Sequence, residues 1–179
     1  MTPDPFRALA LASASHLEQL LRARQAPPMQ SLVAFEWRGY NTSWQPRLLG
    51  IQKFIKGFFQ VGGQAEGYNI PVAQNGPGGP WLHQPTTENP KRYAFYRVTQ
   101  VKRASRDNSY PEAILLDYGA STRNAESPPI AKLLRDYLVQ PDPANPDLLL
   151  GKAYLALGPL RIPSNFFILE RLRPTAWTP

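Results

Sequence analysis

Apolar and polar positions change period along this chain. Residues 4–25 follow a helical spacing: Leu17, Leu20 and Leu21 form a short apolar stripe, and Ala26-Pro27-Pro28 ends the segment. Asp4 before Pro5 supplies an N-cap followed by proline at the first helical position, and Ser15-His16-Leu17-Glu18 offers a capping box for a second start. From Leu32 onward the period is two. Val33, Phe35, Trp37 and Gly39 alternate with Ala34, Glu36, Arg38 and Tyr40, the pattern of a half-buried strand. Similar runs follow at 51–61, 66–74, 92–102, 112–118, 131–140, 148–157 and 165–173, and Pro46–Gly50 reads as a short helical turn.

Turn-forming clusters separate these runs, at residues 75–80, 106–109, 141–146 and 158–163. Helical crossovers between successive strands are missing, which argues against a doubly wound sheet. The expected fold is mainly β: one antiparallel, lipocalin- or calycin-like barrel of about eight strands over 31–179, preceded by a helical extension over 1–30. Residues 158–163 should join the last two strands as a hairpin. Leu149, Gly151, Ala153, Leu155 and Leu157 form one apolar face, matched by Phe166, Ile168 and Leu172. Lys152, Tyr154, Phe167 and Leu169 lie on the other.

Composition narrows the chemistry. With 179 residues, 42% of them hydrophobic, the chain can build a core without staples. Twenty prolines punctuate it. There is no cysteine, which removes disulfides, thiolate nucleophiles and iron–sulfur clusters and fits a cytoplasmic setting. With two histidines, His16 and His83, no metal site is expected, and no motif calls for a cofactor. Gly76-Pro-Gly-Gly-Pro80 lacks the Gly-Lys-Ser/Thr ending of a phosphate loop, and Gly62, Gly63 and Gly67 miss the dinucleotide spacing. The apolar windows fall short of the ~20 residues that span a bilayer. The opening MTPDPFRALALASASH carries Asp4 and too short an apolar run for a signal peptide.

Three functional readings follow. In the first, the barrel binds a small amphipathic or anionic ligand without catalysis. Trp37, Arg38, Lys152, Tyr154, Glu170 and Arg171 are the candidate contacts, because inward charges in a barrel would anchor a polar head. In the second, a net charge of +7 and the stretch 91–106, with six basic residues and no acidic one, mark a single-stranded nucleic-acid module. There Arg92, Tyr93, Phe95 and Arg97 would neutralise phosphates and stack on bases. In the third, an enzyme pocket is built near His83 with Asp117 or the strand carboxylates Glu36, Asp136 and Glu170, although alternation assigns such carboxylates to the solvent face.

The order Trp37-Arg38-Gly39, Leu116-Asp117-Tyr118, Pro129-Ile130, Asp136-Tyr137, Leu150-Gly151 and Phe167-Ile168-Leu169-Glu170-Arg171 resembles the bacterial GXWXG family and its companion domain of unknown function. The likeness spans most of 33–171 through short words. Phe35 stands where the motif's first glycine would be, and Lys56-Gly57-Phe58 inverts the family's Gly-Lys-x-Phe. The resemblance implies a closed β barrel and carries no assigned activity.

Overall fold

The computed structural model describes residues 4–42, 51–76, 78–124 and 127–179. The turn expected at Pro46–Gly50 lies outside them. The amino-terminal segment forms α1 (Pro5–Ala10) and α2 (Ala14–Ala23) rather than one helix. Asp4 caps α1 by accepting the Phe6 amide at 3.1 Å, with Pro5 just inside the helix. The second start is set by Ser13, not Ser15: its hydroxyl accepts the His16 amide at 3.3 Å. A short α3 (Met29–Leu32) follows the double proline and has no forerunner in the periodicity.

Eight strands then run in sequence: β1 (Phe35–Asn41), β2 (Lys53–Val61), β3 (Gln64–Pro71), β4 (Tyr93–Gln100), β5 (Ile114–Asp117), β6 (Leu134–Val139), β7 (Leu148–Leu157) and β8 (Leu160–Pro174). Each pairs antiparallel with its neighbour in the chain, and β8 returns to β1, so the sheet closes into a barrel with no free edge. Residues 131–133, read as the start of a strand, belong instead to a 3-10 helix, Pro129–Leu133, which Pro128-Pro129 initiates. β3 stops at Pro71, which has no amide to continue the ladder.

One face of every strand meets in a single apolar cluster inside the barrel. Trp37, Phe54, Ala65, Tyr96, Leu116, Leu138, Leu149 and Phe167 each come from a different strand. The outer face of β1 and β5–β8 is covered by Phe6, Leu17 and Leu21 of the helices, which pack on Tyr137, Leu150 and Ile168. The outer face of β2 and β3 is covered by Trp81, Phe95 and the tail residue Trp177. Both faces are thus buried over much of the sheet.

Strand glycines make room for rings. A Cβ on Gly39 would fall 2.3 Å from the Phe54 ring, and one on Gly151 2.2 Å from Cζ of Phe167.

The final hairpin forms, and tighter than expected: Leu157 pairs with Leu160 across Gly158-Pro159. Its faces are exchanged, however. Tyr154 opposes Pro163, but Lys152 opposes Phe166, so β8 carries one extra residue at a bulge. The slip moves Phe167 and Leu169 inside with Gly151 and Leu149, and turns Phe166 and Ile168 out beside Lys152 and Leu150. Without the bulge, the period-two matching of Phe166 and Ile168 to the apolar face of β7 would have held.

Candidate ligand-binding cavity

The barrel interior is not filled. A cavity of about 430 Å³ opens at the end where the 3-10 helix and the start of β2 lie. Its walls include Phe54, Tyr93, Leu134, Ala153, Leu155 and Phe167. Ile51 and Ile130, 46% and 60% exposed, stand at the rim, whereas the polar floor is almost fully enclosed.

That floor is built from three strands and the residue after a fourth. Lys56 on β2, Asn69 on β3 and Asp136 on β6 point inward, with Tyr118 just beyond β5. Lys56 Nζ lies 2.9 Å from Asp136 Oδ2, donates to Asn69 Oδ1 at 3.1 Å and donates to the Tyr118 hydroxyl. Tyr118 Oη in turn donates to Asp136 Oδ2 at 2.8 Å, and Asn69 Nδ2 donates to the Ala94 carbonyl at 2.9 Å. The rings of Tyr96, Tyr118, Phe167 and Phe54 surround the ammonium at 4.9–5.6 Å from their centroids. Burial pushes the Lys56 pKa down, while the adjacent Asp136 carboxylate opposes that shift. Burial, then the charge of Asp136, raises the Tyr118 hydroxyl well above its ordinary value and keeps it a donor. Asp136 Oδ1 is buried and has no hydrogen-bond partner among the described residues.

Sequence reading missed Lys56, Asn69 and Tyr118 and placed Asp136 on the solvent side. The signal was present. Lys56 shares its parity with Phe54 and Phe58, and Asp136 shares its parity with Leu134 and Leu138, so both charges sit in the apolar phase of their strands.

The six residues proposed as ligand contacts do not gather around this cavity, and none of them lines it. Trp37 is fully buried inside the barrel, beyond the cavity. Arg171 lies over the Phe35 and Trp37 rings and pairs with Asp147 at 2.7 Å. Arg38 and Glu170 do meet, as an ion pair on the outer face, with Arg38 stacked on Phe6 and Trp81. Lys152 pairs with Glu18 of α2 at 2.6 Å, and the Tyr154 hydroxyl lies 2.9 Å from that of Tyr110. Arg38, Lys152 and Tyr154 belong to the strand parity that turns outward, where they fasten the helices to the barrel.

The basic aromatic stretch is likewise divided. Tyr93 lines the cavity, but Phe95 faces outward, where its ring lies 6.1 Å from that of Trp177. Arg92 is stacked on Trp177 and Tyr68. Arg97 is exposed between Glu66 and Asp117 of the neighbouring strands. No continuous stacking platform results, because Ala94 at φ 47° and the register shift between Gly67 and Asn69 break the alternation there.

His83 is buried in a separate outer cluster. Its Nε2 lies 3.1 Å from Glu36 Oε2 and 2.8 Å from Arg173 Nη2, while Arg173 Nε and Tyr68 Oη donate to the two Glu36 oxygens. It lines neither of the two larger cavities. Asp117 pairs with Arg135 at 3.1 Å.

The larger of those cavities, about 870 Å³, is a surface cleft between α1 and residues 78–81, flanked by Phe6, Arg38 and Trp81. Arg38 is already paired there with Glu170, and the barrel cavity, with largely apolar walls over an enclosed polar floor, is the stronger candidate. No helix among the described residues is long and apolar enough to cross a membrane. Compared with known proteins, the chain matches no family model, no curated protein and no solved structure.

Proposed function

We propose that this protein is a non-catalytic binding protein for a small amphipathic molecule, held in the barrel cavity with its apolar body against Phe54, Leu134, Leu155 and Phe167. The observation that carries this reading is a cavity of about 430 Å³ with largely apolar walls, an enclosed polar floor around Lys56, and Asn41, Ser164 and Asn165 elsewhere in its lining. Volumes of ~300–1,000 Å³ with few convergent polar groups are typical of small-ligand sites. Eight strands are the number at which a barrel becomes wide enough to hold one small ligand.

Two measurements test it. Native mass spectrometry of protein purified from its host should find a bound small molecule. Titration with the neutral apolar fluorophore N-phenyl-1-naphthylamine should saturate at one site. Ala153→Phe, which places a ring in the cavity, should weaken that binding at least about tenfold while leaving the protein folded. Equal affinity in the variant would refute the site.

A further inference from the structure

Resting on that reading, we infer that the cavity selects a ligand whose polar group is a neutral hydrogen-bond acceptor, a carbonyl oxygen on an apolar body, and that the Tyr93 hydroxyl donates to it.

The inference comes from counting every polar group in the lining. In the floor, the three protons of the Lys56 ammonium have three acceptors: Asn69 Oδ1, the Tyr118 hydroxyl and Asp136 Oδ2. Asn69 Nδ2 donates to the Ala94 carbonyl at 2.9 Å and to Tyr118 Oη at 3.4 Å, and the Tyr118 proton goes to Asp136 Oδ2. Asp136 Oδ1 is unpartnered but has essentially no accessible surface, so it is closed to a ligand. Elsewhere in the lining, Asn165 Nδ2 donates to Asn41 Oδ1 at 2.7 Å and to the Phe166 carbonyl at 3.3 Å. Asn41 Nδ2 donates to the Ile51 carbonyl at 2.9 Å, and Ser164 Oγ, on an exposed residue, donates to Asn165 Oδ1 at 2.8 Å. Two donors are left over: the second Asn41 amide proton, and the hydroxyl of Tyr93, which has no hydrogen-bond partner among the described residues.

Tyr93 carries the inference because its whole polar group is unused and within reach. It opens β4 and pairs with Asn69 of β3, so the two side chains share the inward face. Its ring packs against the apolar cluster inside the barrel. Burial raises its hydroxyl above the ordinary tyrosine value, with no charge or hydrogen bond contributing, so the group is a protonated donor. Unlike Asp136 Oδ1, it keeps accessible surface.

Charge and proton count narrow the class. Lys56 and Asp136 neutralise one another, and no unpaired cation lines the cavity among the described residues. A carboxylate would accept from Tyr93 but bring an uncompensated charge against largely apolar walls. A hydroxyl would accept the same bond, yet its own proton finds no free acceptor enclosed with it. A hydrocarbon of the same shape strips solvent from Tyr93 and leaves the hydroxyl unsatisfied. A carbonyl meets it with nothing left over.

Displacement of bound N-phenyl-1-naphthylamine at pH 7.5 by octan-2-one, octan-2-ol, octanoate and 2-methyloct-1-ene, in which a methylene replaces the ketone oxygen, separates these cases on similar chains. Octan-2-one should compete more tightly than octan-2-ol and at least about tenfold more tightly than octanoate. Tyr93→Phe should weaken octan-2-one about fivefold relative to 2-methyloct-1-ene, the net worth of about one hydrogen bond. The infrared carbonyl stretch of octan-2-one, measured with protein in excess, should lie below its value in hexane and return toward it in the variant. A ketone-to-alkene ratio unchanged in folded Tyr93→Phe overturns the inference. So does a hexane-like carbonyl band in the unaltered protein, or octan-2-ol or octanoate binding it as tightly as the ketone. If circular dichroism shows the variant unfolded, the infrared band and the ligand series on the unaltered protein decide. Failure of the fluorophore to bind, or displacement indifferent to Ala153→Phe, removes the cavity reading itself, which separates that failure from a wrong polar group.

Discussion

Two lysines three positions apart on β2 have opposite fates. Lys53 and Lys56 are both almost fully buried, at 1% and 2% exposure. Lys53 takes the outward parity. Its ammonium is ringed by neutral oxygens, those of Asn75 and Gly79 at 2.6 Å and of Pro80 and Gly76 at 3.1 and 3.2 Å, beneath the Trp81 ring. Lys56 takes the inward parity and meets a carboxylate that keeps one oxygen unused. The first arrangement ties the 75–81 loop to the barrel with oxygens supplied by the protein. The second places the ion pair among the residues that line the barrel cavity. Burial of a charge therefore does not by itself mark a site; Lys56 differs from Lys53 in that it lines an open cavity.

The contrast can be broken most severely at Lys56. Lys56→Met strands the buried Asp136 carboxylate and should cost about 3–5 kcal/mol in urea unfolding, whereas adding Asp136→Leu should recover most of that loss. Full stability in the single variant would show that the pair is not enclosed.

Alkaline pH attacks the same floor. Burial raises the hydroxyls of Tyr96 and Tyr118 well above 10, and burial together with Asp107 pushes Tyr137 up to about 12. Unfolded tyrosine titrates near 10, so the stability these groups contribute is fully present below about pH 10 and is lost as pH rises through the folded values. Lys53 and Lys56, both lowered mainly by burial, have the opposite sign: stability rises with pH between their folded values and the unfolded value near 10.5. Urea midpoints measured from pH 8 to 12 should rise or hold and then fall beyond pH 10, with tyrosinate absorbance appearing together with unfolding. Tyrosinate formed at pH 10 in a fully folded protein would contradict it.

A smaller perturbation acts through packing. Gly151→Val drives a side chain into Phe167, whose ring forms part of the Lys56 surround, and should cost about 1–3 kcal/mol. Phe167→Leu in the same chain should relieve part of it. The least global change is Lys53→Met, expected at about 1–2 kcal/mol. Hydrogen exchange should speed at the Gly79 amide, which donates to the Gly76 carbonyl, and stay slow across β5–β8. Exchange that quickens evenly over the barrel would erase the distinction between the two lysines.

Strand number, closure and the helical cover were legible because burial on a sheet leaves a period-two trace and each run was bounded by proline, glycine or asparagine clusters. The site was not. Charge alone points to Arg38, Lys152, Glu170 and Arg171, whereas the signal for the site lies in the phase of Lys56 and Asp136 within their own strands. Face-to-face matching of β7 and β8 failed for a different reason. Alternation is conserved on each side of a bulge, and only hydrogen-bond register reveals that the phase has changed between Lys152 and Tyr154. The division of Tyr93 from Phe95 has the same origin at Ala94. Proline also misled: Pro163 looked like part of a turn, yet it sits within β8 opposite Tyr154 beside the bulge, a position that tolerates a missing donor.

Closure of β8 onto β1 has a consequence for synthesis. The first strand made is paired on one side by the last. At 5–20 residues per second, on the order of ten seconds separate the emergence of Asn41 from that of Pro174. Throughout that interval one edge of β1 presents unpaired amides and carbonyls, and the outer rings of β2 and β3 still await Trp177. The nascent chain must therefore survive as an open, edge-exposed sheet until β8 completes the hydrogen-bond circuit and Trp177 covers the apolar surface of β2 and β3.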